Sequence, residues 1–167
     1  MRRLALFPLI ALAVIGSGCK KKESPAPPAL KSELAMNDPS SQSQLQSGFY
    51  GIEGGSWRWT ARNFAVSFPP PVDPTHAGST LHFKFTLPDA VFNKVGPIQL
   101  SASVNGMPLR PELYSKAGNY DYERPVEASS QPGPVTIAFS CDKALPPSAE
   151  DHRELALIAV SVGLAAH

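Results

Sequence analysis

The sequence predicts an all-β fold, an antiparallel β-sandwich of jelly-roll-like outline, and three observations carry the prediction. Apolar and polar residues alternate with a period of two in several separate segments. Those segments are rich in β-branched and aromatic side chains, which suit a pleated, half-buried surface. Eighteen prolines and twelve glycines punctuate the 167 residues; proline breaks helix interiors and both residues supply turn geometry, so a helical bundle is disfavoured.

The folded domain is predicted to span residues 47–167, about 120 residues, enough for one modest core. Phe49-Tyr50-Gly51-Ile52-Glu53 reads as a first strand, Gly54-Gly55 as a tight turn and Trp57-Arg58-Trp59-Thr60 as the answering strand. Phe64, Val66 and Phe68 give a third strand, ended by Pro69-Pro70-Pro71. Leu81, Phe83, Phe85 and Leu87 alternate with His82, Lys84 and Thr86, so that strand has one dry and one wet face. Leu100, Ala102 and Val104 repeat the pattern before an Asn105-Gly106 turn, and Val135, Ile137, Phe139 and Cys141 repeat it again. In the tail, Ser148 followed by Glu150 and Asp151 offers a helix cap, but alternating Ile158, Val160, Val162 and Leu164 favour a final strand.

Ahead of the domain, Met1-Arg2-Arg3 is positive, Leu4 to Ile15 is a run of twelve apolar or proline positions, and Gly16-Ser17-Gly18 precedes Cys19. This has the shape of an export signal, over residues 1–18. A membrane-spanning helix needs about 20 apolar residues, and this run ends in Gly, Cys and three lysines. Residues 19–46 are rich in Lys, Pro, Ser and Gln, with no aromatic residue and no sustained apolar period, so they are expected to be a disordered tether. A short helix around Leu30 to Met36 is the alternative for part of it.

The segment Ile15-Gly16-Ser17-Gly18-Cys19 resembles the lipobox of bacterial lipoproteins, although that family usually carries leucine three residues before the cysteine, where Gly16 stands here. The resemblance implies cleavage before Cys19 and lipidation of its thiol, hence an exported protein anchored in a membrane of the cell envelope. Two or more acyl chains at about 0.8 kcal/mol per buried methylene would anchor it stably. Lys20 rather than Asp after the cysteine resembles the outer-membrane-sorted class, should the source have two membranes. Ordinary cleavage after Gly18 is the alternative.

Phe49-Tyr50-Gly51-Ile52-Glu53, Trp57-Arg58-Trp59-Thr60, the Asn105-Gly106 turn and Asp151-His152-Arg153-Glu154-Leu155 resemble a β-sandwich accessory domain of bacterial cell-surface and glycosyltransferase-associated proteins, over most of residues 48–165. What this implies is a fold, with carbohydrate recognition inferred from its architecture. Fold alone does not assign function.

Trp57 and Trp59 lie two apart on a strand, so both point to one face with Arg58 on the other. As an open pair their indoles would stack on sugar rings; as a closed pair they would anchor the core. Tyr50, Glu53, Arg58 and Arg62 offer hydrogen bonds beside them, or an ordinary cross-strand pair of Glu53 with Arg58 or Arg62. Tyr120 and Tyr122 share a face near Gly118-Asn119 and, with Tyr114, would line a groove or serve as ordinary strand residues. The expected ligand-binding set is therefore Trp57, Trp59, Tyr50, Arg58, Tyr120 and Tyr122.

Catalysis, cofactors and metals find little support. His76, His82, His152 and His167 stand in no local ligand spacing, and Cys141 sits on an apolar strand face where a thiol is inert. Ser140-Cys141-Asp142 lacks a strained nucleophile elbow, and no phosphate-binding glycine motif occurs. Asp151, Arg153 and Glu154 read as a structural ion-pair network. A formal charge of +1, with three of the positive charges at Lys20, Lys21 and Lys22, leaves no field for nucleic acid. The expectation is a non-enzymatic binding module for a glycan or envelope polysaccharide; the competing expectation is a structural lipoprotein docking another envelope protein.

Overall fold

The computed structural model describes residues 29–70, 78–127 and 133–166. Among these residues ten strands follow one another: β1 (Glu33–Ala35), β2 (Leu45–Glu53), β3 (Trp57–Phe68), β4 (Ser79–Leu87), β5 (Ile98–Val104), β6 (Met107–Pro108), β7 (Glu112–Tyr114), β8 (Gly118–Val126), β9 (Val135–Cys141) and β10 (Ile158–Ala166). Every pairing among them is antiparallel. The predicted all-β antiparallel fold is therefore what forms, as one curled sheet ordered β6-β5-β9-β3-β10-β4-β8, with β1, β2 and β7 attached at β10, β3 and β5.

The curl is made by β3. Its first residues pair with β10 (Trp59 with Ile158, Arg58 with Ala159), and its last six, Asn63 to Phe68, pair with β9. One strand therefore belongs to both layers, and the two stretches expected as separate strands are continuous. Where β3 leaves β10, β1 takes over the same edge, Glu33 opposite Gly163 and Ala35 opposite Ser161.

Between the layers lie the alternating residues. Leu81, Phe83, Phe85 and Leu87 are all buried, as are Phe64, Val66 and Phe68 of β3 and Val135, Ile137, Phe139 and Cys141 of β9. The Phe64 ring stacks on Phe139 at 4.9 Å and tilts against Phe83 at 5.4 Å. Each such side chain contributes about 1.5–3 kcal/mol by leaving water. The Asn105-Gly106 turn forms as expected: both residues have positive φ, 48° and 85°, and Val104 pairs with Met107 across a two-residue hairpin. Gly48 is fixed more tightly, because at φ 73° a Cβ there would come within 2.1 Å of the Asn63 carbonyl oxygen.

The expected tether requires correction. Its second half is folded into the domain: Leu34 and Met36 are fully buried, and a 3-10 helix (Pro39–Gln44) connects β1 to β2. Composition misleads here because the polar residues work internally. The Gln44 side chain accepts from Lys31 N and donates to the carbonyls of Lys31 and Ser67, and Asp38 caps the 3-10 helix through Ser40 N. The alternative helix around Leu30 to Met36 does not form either; that stretch holds β1.

The tail is a strand, and a central one, since β10 pairs with β1, β3 and β4. Ser148 caps a turn instead of a helix, its hydroxyl accepting from Glu150 N and Asp151 N. A short helix, α1 (Asp89–Val95), closes the sandwich by burying Val91 and ends at Gly96, whose φ of 75° suits glycine. No helix of the described residues is long and apolar enough to cross a membrane.

Candidate functional site

Directly paired residues on neighbouring strands share a face, so the register defines both surfaces of the β3-β10-β4-β8 layer. One row runs Arg58, Ala159, Phe85, Tyr120 and faces inward. The row beside it runs Trp59, Ile158, Thr86, Asn119 and faces outward, with Trp57 one step beyond. Two further outward rows follow: Ser161, Lys84, Asp121, then Glu33, Gly163, His82, Glu123. From Thr86 to His82 is four residues of β4, about 14 Å at strand rise. An aromatic end and a polar end thus share one solvent-facing surface.

Trp57 and Trp59 are both half-buried, and Trp59 also touches the core. Their rings meet edge to face, centroids 6.0 Å apart and planes at 88°. The Trp57 indole lies over the β2-β3 turn at Gly54, where an added Cβ would stand 3.3 Å from its Nε1. Val160, 43% exposed, sits at the bulge in β10 between Ala159 and Ser161 and extends the apolar end.

Beside Trp57, its cross-strand partner Glu53 takes part in an ion-pair network. Arg153 Nη1 donates to Glu53 Oε1 at 2.5 Å, and its Nε and Nη2 reach Asp151 at 2.9 and 2.8 Å. The Arg153 guanidinium holds the Asp151 carboxyl down at about 2. The expected network at Asp151 and Arg153 is present, but Glu53 completes it, and the expected partners of Glu53, Arg58 and Arg62, are elsewhere. Glu154 instead accepts from Arg62 N at 3.0 Å.

Of the six residues expected to bind ligand, Trp57 and Trp59 lie on the outer surface. Tyr50 adjoins them: its hydroxyl donates to the Glu154 carbonyl at 2.9 Å and Arg153 lies 5.1 Å over its ring. Arg58 and Tyr122 turn the other way and are buried, so they are corrected to structural roles. Arg58, 4% exposed, donates to the carbonyls of Met36 and Tyr50 and to Gln42 Oε1, at 3.0–3.1 Å. Tyr122 donates to the Arg110 carbonyl beneath the Arg124 guanidinium. Tyr120, half-buried on the inward row, packs on Tyr114 at 4.5 Å and donates to the Lys116 carbonyl. Cys19 lies outside the described residues.

The polar rows were not singled out by sequence reasoning. His82 Nδ1 lies 3.1 Å from Glu123 Oε1 and 4.0 Å from Asp121 Oδ1. The available signal was the polar alternation His82, Lys84, Thr86 on β4, but its partners on β8 are some 40 residues away and only register joins them. The opposite layer offers a different outer surface, built from small side chains such as Ala65, Ser101, Ser103, Ala138 and Ser140. It presents no aromatic plane among the described residues.

No protein-family model matches the chain, and no curated protein matches it. Several solved structures align with it in part. Carbohydrate-binding module CBM36 in complex with calcium and xylotriose aligns over 81% of this chain and 100% of its own, at 6% identity and TM-score 0.43. The acetyl xylan esterase Est2A from Butyrivibrio proteoclasticus aligns over 84% of this chain at 14% identity and TM-score 0.46. Dimeric latent PorU from Porphyromonas gingivalis aligns over 63% at 13% identity and TM-score 0.47. This chain spans only 33% of the esterase and 10% of PorU. At such identities and TM-scores the likenesses carry no argument about this chain, which is placed among β-sandwich domains by its own strands and register.

Proposed function

We propose that this protein is a lipoprotein, anchored through Cys19, whose sandwich binds a glycan or polysaccharide of the cell envelope without turning it over. The observation that carries the reading is the outward row Trp59, Ile158, Thr86, Asn119, with Trp57 beyond it and hydrogen-bonding side chains in the next two rows. Sugars offer an apolar ring face and a rim of hydroxyls. Half-exposed indoles supply the plane for the first, and Asn119, Lys84, Asp121 and Ser161 supply donors and acceptors for the second.

The folded N-terminal segment adds a positional argument. About a dozen residues separate Cys19 from Lys31, a reach of at most about 40 Å. The chain then enters β1 at the Gly163 end of the outer surface, away from the tryptophans, with Leu164 N bonding the Ser32 carbonyl. A lipid at Cys19 would therefore tether the domain by its polar end and within about 40 Å of the bilayer, leaving the aromatic end free of the attachment point.

The test is binding of the protein to isolated envelope polysaccharide and a glycan panel, beside a Trp57→Ala variant whose fold has been checked. Loss of binding in the folded variant is expected. No binding by the unaltered protein would overturn the glycan reading and favour docking to an envelope protein. Fractionation of a Cys19→Ser variant tests the anchor separately; undiminished membrane retention would refute it.

A further inference from the structure

We propose that His82, Asp121 and Glu123 form a binding site for a divalent transition-metal ion of the zinc class on the outer surface of the β4-β8 pair. The three side chains come from adjacent rows: His82 is directly opposite Glu123, and Asp121 is two residues along β8, on the same face. One atom of each lies within 4.8 Å of the others, with His82 Nδ1 3.1 Å from Glu123 Oε1 and 4.0 Å from Asp121 Oδ1. Donors around a tetrahedral zinc ion at about 2.0–2.2 Å stand about 3.3 Å apart, so closing the set needs carboxylate shifts of up to about 1.5 Å. Both carboxylates sit at the surface, where such a shift is a rotamer adjustment.

The donor set selects the ion. One imidazole nitrogen with two carboxylate oxygens suits zinc and its neighbours, whereas calcium takes six to eight oxygens and magnesium keeps most of its water. Backbone pairing holds the three Cα atoms in place before any ion arrives, unlike ligands gathered from a loop. Gly163, next to His82 in its row, has no side chain, and a groove opens there between Glu33 and His82. Three protein donors leave at least one position of a tetrahedral ion open to water or to a ligand oxygen. Lys84, directly opposite Asp121, opposes the site with its positive charge. This inference concerns the cation alone and stands whether or not the surface binds glycan.

The test is calorimetric titration of Zn2+ into the untagged full chain in detergent, with Ca2+ and Mg2+ as comparators. The expected result is one bound Zn2+, at least tenfold tighter than either comparator. Affinity should fall at least tenfold in both His82→Ala and Glu123→Gln with circular dichroism unchanged, and rise several-fold in Lys84→Met. His152→Ala, which alters a histidine elsewhere, should change nothing. Absence of saturable Zn2+ binding, or binding kept in His82→Ala or lost in His152→Ala, would overturn the site and leave an ordinary His82–Glu123 pair. Should His82→Ala misfold, Glu123→Gln and visible absorption of the Co2+-loaded chain, with and without that change, decide it.

Discussion

Replacing Leu34 by alanine tests whether the N-terminal segment belongs to the folding unit. Leu34 lies in the three-residue strand β1, is fully buried, and stands opposite Val162 of the central strand β10. The substitution removes three carbons, worth about 2.4 kcal/mol at roughly 0.8 kcal/mol per methylene. The cavity left behind adds to this, so the cost should fall at about 3–4 kcal/mol. That is a large share of the roughly 5–15 kcal/mol that holds a domain of this size, and it corresponds to a melting point lower by about 10–15 °C. Urea unfolding followed by circular dichroism measures it, with Leu30→Ala as control because Leu30 is 36% exposed. If Leu34→Ala stays within about 0.5 kcal/mol of the unaltered protein and of the control, β1 is a loose tether, as its composition suggests, and does not belong to the folding unit.

Arg58→Ala should loosen the same segment from the other side, since it strips the donor from the Met36 and Tyr50 carbonyls; a cost of about 2–4 kcal/mol and faster tryptic cleavage at Lys31 are expected, and unchanged cleavage would contradict the clamp. Burial pushes the Cys141 thiol from 9.0 up to about 12. Because the folded value lies above the unfolded one, its contribution is whole below about pH 9 and is lost as pH rises toward 12, at up to about 1.4 kcal/mol per pH unit. Native protein should therefore show Cys141 unreactive to a thiol reagent at about pH 8 and reactive once unfolded; fast native labelling would refute its burial. Tyr114 carries a buried hydroxyl with no hydrogen-bond partner of good geometry among the described residues, so Tyr114→Phe should be neutral or stabilise by about 1 kcal/mol in urea unfolding, and a loss of that size would reveal a hydrogen bond to the nearby Glu112 side chain or to an ordered water.

Much of the strand set was legible because the alternation is long. Leu81 to Leu87 and Val135 to Cys141 bury every second residue as their pattern requires, and Asn105-Gly106 readily takes the two consecutive positive φ values that a two-residue hairpin turn needs. Trp57 and Trp59 were legible as a pair on one face for the same local reason. β1 was not, because three residues carry too little periodicity to outweigh a polar context, and neither was α1, a two-turn helix preceded by Pro88 rather than by a polar capping side chain.

The sequence by itself determined the class of fold, the dry and wet faces of the long strands and the resemblance of Ile15-Gly16-Ser17-Gly18-Cys19 to a lipobox, all of which depend on residues within a few positions of one another. Only the tertiary structure decided that Arg58 and Tyr122 point into the protein, that Arg153 rather than Arg58 or Arg62 pairs with Glu53, and that His82 meets Asp121 and Glu123. The last two contacts join residues some 40 to 100 positions apart, and all of them are set by which strands pair and in what register. Local pattern specifies that a strand has two faces. Which chemistry gathers on a face depends on its neighbours, and the long-range burial of the core chooses them.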